Sequence, residues 1–350
     1  RTFLKALGAT GLSLAAPYSA RAGAGPTRPN FVVIFADDFV YRAIGYNNPV
    51  VKTPNLDALA GDGIVFTYAY VASPICVASR ASIMTGLFPQ QHGSVALDAT
   101  GFRQNVIERK RYRTFAQDFA EAGYVTAFCG KSHLGNPLEY GFTTGAEHKA
   151  YDDEDTFAAA GEFLQRHRGK SDPFLLWAAP NQPHVPLLPA QEWLDLYRGA
   201  AIQVDPNYEE EPPEGSIYNQ GKPGERYYRD SEYKRNYKDL PAGPPRSQEE
   251  MYDFIHAYYA TISHLDQQVG ELIRQLKDAG LYENTVIFFL ADNGYHLGNH
   301  GLGNKITMHE ESVRVPMFVH GNALATRGVR ADALVSTVDI YPTLLDLAGV

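Results

Sequence analysis

The chain has 350 residues, 44% of them hydrophobic, enough to bury a large core in one big α/β domain or in two domains. A formal net charge of −9 excludes a general nucleic-acid or acidic-membrane partner, although a small basic pocket could sit inside an acidic surface. Two cysteines give no disulfide framework. The 22 tyrosines and 18 phenylalanines are read mostly as core, with some available as a stacking surface for sugars.

Residues 1–28 read as an export signal and linker. A basic start is followed by a short apolar run and then by Ala20-Arg21-Ala22, a small-x-small cleavage pattern. The run is too short to span a bilayer. Arg1-Thr2-Phe3-Leu4-Lys5 resembles the second half of a twin-arginine motif, which predicts a bacterial protein exported to the periplasm or beyond, with no stable membrane span. The alternative for these residues is an ordinary amphipathic helix. Lacking an initiator methionine and stopping inside a helix-like LLDLAGV, the chain reads as a piece of a longer one.

PNFVVIFADDF (29–39) holds an unbroken apolar run from Phe31 to Ala36, the pattern of a strand buried on both faces, and it ends in Asp37-Asp38. TFAQDFAEAG (114–123) predicts a helix closing on Gly123. YVTAFCG (124–130) and PFLLWAAP (173–180) predict strands. Residues 201–247 are rich in Pro, Gly, Tyr and charge, with no period, and are read as an irregular insertion covering part of a binding site. Residues 249–280 predict a long helix. Met251, Phe254, Ile255, Tyr258, Ile262, Leu265, Val269, Leu272, Ile273 and Leu276 recur at steps of three and four, and Gly280 supplies the stop. A second buried strand, TVIFFLADNG (285–294), ends in Asp292-Asn293. Alternating strands and helices predict a mostly parallel central sheet flanked by helices, and no internal repeat is visible.

In open α/β sheets ligands sit beyond the carboxyl ends of the strands. Asp37, Asp38, Asp292 and Asn293 stand at two such ends. One such pair alone reads as a strand-end cap. Two pairs make an all-oxygen site, which suits Ca²⁺ or Mg²⁺ rather than zinc. Lys131 and His133 (GKSHLG), His184 (QPHVP) and Lys305 (GNK) each follow a predicted strand or its loop. Each alone reads as a surface group. Clustered around a divalent cation, these residues and an arginine would form a pocket for a small oxyanion.

Together these segments resemble the type I sulfatases of the alkaline-phosphatase superfamily. Cys76-Val77-Ala78-Ser79-Arg80 matches that family's Cys-x-Pro/Ala-x-Arg, followed in family spacing by Thr85-Gly86, Pro89 and His92-Gly93. The likeness extends through ADD (36–38), GKSHLG, QPHVP, ADNGYHLGNHG (291–301), Lys305, EESVRVP (310–316) and DIYPTLLDLAG (339–349), so it covers Pro29 to Val350 as a catalytic domain. It implies the alkaline-phosphatase-like fold, with a C-terminal subdomain lying beyond Val350.

The resemblance implies that a maturation enzyme converts Cys76 to formylglycine, whose hydrate attacks sulfur through one hydroxyl and later expels sulfate through the other. It implies one divalent cation held by Asp37, Asp38, Asp292, Asn293 and the modified Cys76, with Asp292 taking the first proton. His184 and Lys305 would serve the leaving alcohol. Lys131 and Arg80 would balance charge, and His133 would take a proton from the second hydroxyl. The implied substrate is a sulfate monoester, either a small molecule or a glycan and more specifically a sulfated carbohydrate.

A phosphonate monoester or phosphodiester hydrolase is the runner-up, and a non-catalytic binder of sulfated glycans the third possibility. A single metal's worth of strand-end ligands favours sulfate over phosphate. Cys129, His92, His309, His256 and His264 are read as structural, and His300 is left open. Ser132 stands where the family often has a large aromatic, and Ala78 where proline is commoner, which bears on recognition by the maturation enzyme.

Overall fold

The structure is a computed structural model that describes residues 28–95, 111–216 and 247–350. The expected export signal, except Arg28, and most of the 201–247 insertion lie outside the described residues. In chain order the strands are β1 (Asn30–Ala36), β2 (Ile64–Tyr70), β3 (Val125–Gly130), β4 (Thr144–Glu147), β5 (Phe174–Ala179), β6 (Thr285–Ala291), β7 (His296–Leu297), β8 (Gly303–Asn304), β9 (Phe318–His320) and β10 (Val329–Ser336). The α-helices are α1 (Pro54–Gly61), α2 (Cys76–Thr85), α3 (Pro89–His92), α4 (Phe115–Glu121), α5 (Glu154–His167), α6 (Gln191–Asp195), α7 (Gln248–Asp278), α8 (Glu310–Val313) and α9 (Ile340–Ala348).

The main sheet has eight strands in the order β10-β2-β9-β6-β1-β5-β3-β4, all parallel except β9. Its central strands are apolar on both faces because a helical layer covers each. Val32, Ile34 and Ala36 of β1 join one core cluster with the apolar faces of α1, α5 and α7. Phe31, Val33 and Phe35 alternate into the other, with α2, α4 and α9. All ten apolar positions anticipated for α7 are buried. That helix starts where Ser247 accepts a hydrogen bond from the Glu250 backbone N–H at 3.2 Å. Among the described residues no helix is long and apolar enough to cross a membrane.

Register positions the site. Ala36 of β1 pairs with Ala291 of β6, so Asp37 and Asp292 leave the sheet side by side. On the other flank of β1, β5 and β3 run parallel and in step. The GKSHLG and QPHVP loops therefore emerge at the same end. Gly130 closes β3 at φ 108 where a Cβ would lie 2.1 Å from the Ala179 carbonyl oxygen, so only glycine lets the chain turn there into Lys131.

Candidate active site

The site grows from the ends of β1 and β6 and the start of α2. Asp37 and Asp38 are fully buried, and Asp38 adopts left-handed backbone at φ 60. That turn is pinned from two sides: the Asp38 backbone N–H donates to Asp292 Oδ1 (3.2 Å), and the Tyr258 hydroxyl donates to the Asp38 carbonyl. The same Tyr258 oxygen accepts from Val40 N at 3.0 Å, so α7 fixes the end of β1.

Cys76 is the first residue of α2 and is 1% exposed, with its Sγ 4.0 Å from Asp38 Oδ1. Arg80, one turn on, is also buried. It donates through Nε to Asp292 Oδ2 at 2.9 Å and through Nη1 to the Lys131 carbonyl at 2.7 Å, and its Nη2 forms an ion pair with the same Asp292 oxygen at 2.9 Å. Its guanidinium lies over the Phe35 ring, 4.8 Å from the centroid. Lys131 Nζ pairs with Asp37 Oδ2. Lys305 Nζ pairs with both oxygens of Asp38, at 2.5 and 2.7 Å. Asn293 Nδ2 donates to Asp38 Oδ1 at 2.6 Å. His184 donates from Nδ1 to the Val185 carbonyl and turns Nε2 toward Asp38 Oδ2, 3.6 Å away.

Burial and charge pull on these groups in opposite directions. Burial alone would raise Asp37, but Lys131, His184, Arg80 and Lys305 hold it well below the ordinary carboxylate range. Burial wins at Asp38 against Lys305, and its pKa is raised. Asp292 is pushed up to about 7, by burial first and then by Asp37, with Arg80 opposing. Burial works against the charged forms of Arg80 and Lys131, yet the carboxylates beside them raise both. His133 stands at the exposed rim in left-handed backbone (φ 58). Packing beneath it, and then Lys131 and Arg80, lower its pKa to about 3, so the ring is neutral at physiological pH.

Asp37, Asp38, Cys76 and His184 each place a ligand atom within 4.8 Å of the others, whereas His184 was not among the expected ligands. Asp292 and Asn293 touch this group through Asp38. The buried Asp37 Oδ1 and Asn293 Oδ1 accept no hydrogen bond. Such an oxygen-rich set with unsatisfied acceptors fits a hard divalent cation.

Several histidines fall outside the cluster. His92 locks the back of α2: its Nε2 meets Ser82 Oγ at 2.9 Å, and its Nδ1 accepts from the Ser94 N–H at 3.1 Å. His256 bonds the Leu194 carbonyl, and His264 bonds Gln182 while stacking on Trp193. His300 stacks on His309 with centroids 4.3 Å apart. Cys129 is buried in β3 among apolar neighbours.

The described start of the irregular insertion straps the β7–β8 hairpin that leads into Lys305. His300 N donates to Asn207 O (2.8 Å), Glu209 N to Gly298 O (3.1 Å), and Asn299 Nδ2 to Asp205 Oδ2 (2.9 Å). Sequence reasoning missed Tyr258, whose polar role hides in an apolar stripe. It also missed Asp153, whose carboxylate clamps the loop bearing His184. The only sequence signal for Asp153 was an acidic pair before a helix.

The sequence model of the sulfatase family matches residues 29–350. An arylsulfatase of Clostridium perfringens is 28% identical over 92% of this chain and 75% of its own length. An N-acetylglucosamine-6-O-sulfatase of Bacteroides thetaiotaomicron is 26% identical over 92% of this chain and 68% of its own. Among solved structures, Ps i-CgsB in complex with k-i-k-neocarrahexaose superposes with a TM-score of 0.69 at 26% identity, covering 92% of this chain and 72% of that one. With its mostly parallel sheet and its cluster of buried carboxylates and cations at the strand ends, the chain belongs to the sulfatase family and is a sulfuric ester hydrolase acting on sulfate monoesters.

Proposed function

We propose that the substrate is a sulfated carbohydrate, and that residues 29–350 cleave it with a formylglycine made from Cys76 and one divalent cation, Ca²⁺ or Mg²⁺. The observation that carries this is the charge balance around Cys76. Three carboxylates, Asp37, Asp38 and Asp292, meet three cations, Arg80, Lys131 and Lys305. A divalent cation added to that neutral set leaves the site positive, so it draws in an anionic ester and stabilises the charge that builds on its oxygens.

A bound cation would be held by Asp37, Asp38, Asp292, Asn293 and the modified Cys76 side chain, polarising sulfate and acidifying the attacking hydroxyl. The hydrated aldehyde would supply two hydroxyls, one to attack sulfur and one to release sulfate. Asp292, set beside the attacking oxygen by its bond to Arg80, takes the proton of the attacking hydroxyl. Arg80 keeps Asp292 aimed into the site, and Lys131 does the same for Asp37. His184 has its Nδ1 committed to Val185, so Nε2 is the atom that passes a proton to the leaving alcohol, with Lys305 beside it. His133, neutral at the rim, accepts the proton of the second hydroxyl.

Two relatives that carry sugar in their names support the carbohydrate class: the N-acetylglucosamine-6-O-sulfatase and the neocarrahexaose-bound Ps i-CgsB. The pattern of residues 1–28 supports export, and the Cys76 motif supports a formylglycine-generating partner. The test is sulfate release from a panel of sulfated monosaccharides, with matured wild type beside Cys76→Ala. Release by wild type alone is expected. Release of phosphate or phosphonate esters at higher kcat/KM than any sulfate ester would overturn the reading.

A further inference from the structure

Two loops at the mouth of the site are laced into one unit. Asp153 is fully buried with φ 60, and its Oδ1 accepts from Asn181 N (2.8 Å), Asn181 Nδ2 (3.2 Å) and Thr156 Oγ1 (3.4 Å). Its Oδ2 accepts from Gln182 N at 2.8 Å. In return, Asn181 Nδ2 reaches the Ala150 carbonyl (3.0 Å), and Gln182 Nε2 the Asp152 carbonyl (3.3 Å). The segment before α5 is thereby fixed against the segment that carries His184.

On this unit two rings stand side by side. Tyr151 lies with its centroid 6.2 Å from that of His184, tilted by 35°. Tyr151 is half-buried, and among the described residues its hydroxyl makes no hydrogen bond. A firmly held aromatic plate with an unspent polar tip therefore flanks the imidazole whose Nε2 faces Asp38. Sugar rings present flat faces of C–H groups edged by hydroxyls, the complement of such a plate and tip.

We propose that Tyr151 is a specificity-determining residue: its ring stacks on the pyranose of the leaving alcohol, and its hydroxyl bonds one of that sugar's hydroxyls. This rests on the reading above, in which His184 serves the leaving group of a carbohydrate sulfate. A purely structural Tyr151 would act through His184, and its loss would slow every ester alike. A sugar plate would act on KM, and only where the leaving group carries a ring.

The experiment compares matured full-length wild type, Tyr151→Ala and Tyr151→Phe. The substrates are the best-cleaved pyranose monosulfate of the panel and butyl sulfate, whose leaving alcohol has similar reactivity but no ring. For Tyr151→Ala, KM for the pyranose ester should rise about tenfold, the effect of losing roughly one good stacking contact. Its kcat, and both constants for butyl sulfate, should stay within about twofold. Tyr151→Phe, which keeps the ring and loses only the hydroxyl contact, should raise KM for the pyranose ester by a smaller factor of about three. Tyr151→Leu serves the same comparison if the alanine variant does not fold. Equal losses on both esters, or a fall confined to kcat, would overturn the proposal while leaving the sulfatase reading intact. A wild type that cleaves butyl sulfate but no pyranose ester would overturn both the plate and the carbohydrate assignment. A matured wild type inactive on every sulfate ester would overturn the mechanism on which both depend.

Discussion

The molecule contains two buried cysteines in opposite surroundings. Cys76 opens α2 and Cys129 lies in β3, and they are 1% and 3% exposed. Burial pushes up both thiols, Cys129 to about 12, so neither exposure nor thiol acidity tells them apart. The neighbours do. Cys129 packs in a hydrophobic cluster, and among the described residues the only charges that act on it are the exposed Arg166 and Glu162, which oppose each other, whereas Lys305, Asp292, Asp37 and Lys131 all act on Cys76 from within the site. A buried cysteine gains chemical meaning from the charges folded around it, and those charges arrive from four separate strand ends.

The sharpest way to break this contrast is to truncate each thiol. Cys76→Ala should lower kcat by on the order of 10⁴- to 10⁶-fold, as expected when a nucleophile is lost, with the fold retained. Cys129→Ala should leave kcat within about twofold and cost about 1 kcal/mol in a denaturant melt. Comparable losses of kcat would abolish the distinction. Next in size is metal removal. Exhaustive chelation should cut turnover at least about 100-fold and lower Tm, with Ca²⁺ or Mg²⁺ restoring both. Full activity after verified metal depletion would contradict the cation.

Asp153 tests whether the contrast depends on loops beyond the strand ends. Asp153→Ala strands the buried Asn181 and Gln182 N–H groups and should destabilise the protein by about 2–3 kcal/mol. It should also slow esters of poorly acidic alcohols more than 4-nitrophenyl sulfate, because His184 loses its seat. Uniform slowing would make Asp153 a fold element only.

The smallest effect concerns His92 behind α2. Its pKa falls from the ordinary 6.5 to about 4 on burial, so the unfolded chain binds more protons between those values. The stability from this group is full above 6.5 and lost as pH falls toward 4. His92→Asn, which keeps an acceptor for Ser94 N–H, should flatten that part of the Tm-versus-pH curve. An unchanged slope would show that His92 does not titrate in this way.

Much of the frame was legible because apolar runs of six or seven residues, covered on both faces, leave little choice but a buried strand. This holds for β1, β5 and β6, and the period of α7 was equally plain. β9 was not legible: three residues, Phe318 to His320, carry no pattern that sets direction, and only pairing with both β2 and β6 makes the strand antiparallel. β4 was hidden because its TGAE is exposed throughout. At the site, residues directly after strands could be found, since topology alone gathers them. Tyr258 and Asp153 could not, because their roles rest on partners 220 and 28 residues distant.

The most direct measurement is peptide mass spectrometry of Cys76 in full-length protein produced with a formylglycine-generating enzyme, with Cys129 as the internal control. A thiol-to-aldehyde mass loss at Cys76, with Cys129 unchanged and sulfate turnover tracking the converted fraction, is the predicted result. Sulfate turnover by protein whose Cys76 remains wholly a thiol, under conditions that convert a control sulfatase, would contradict it.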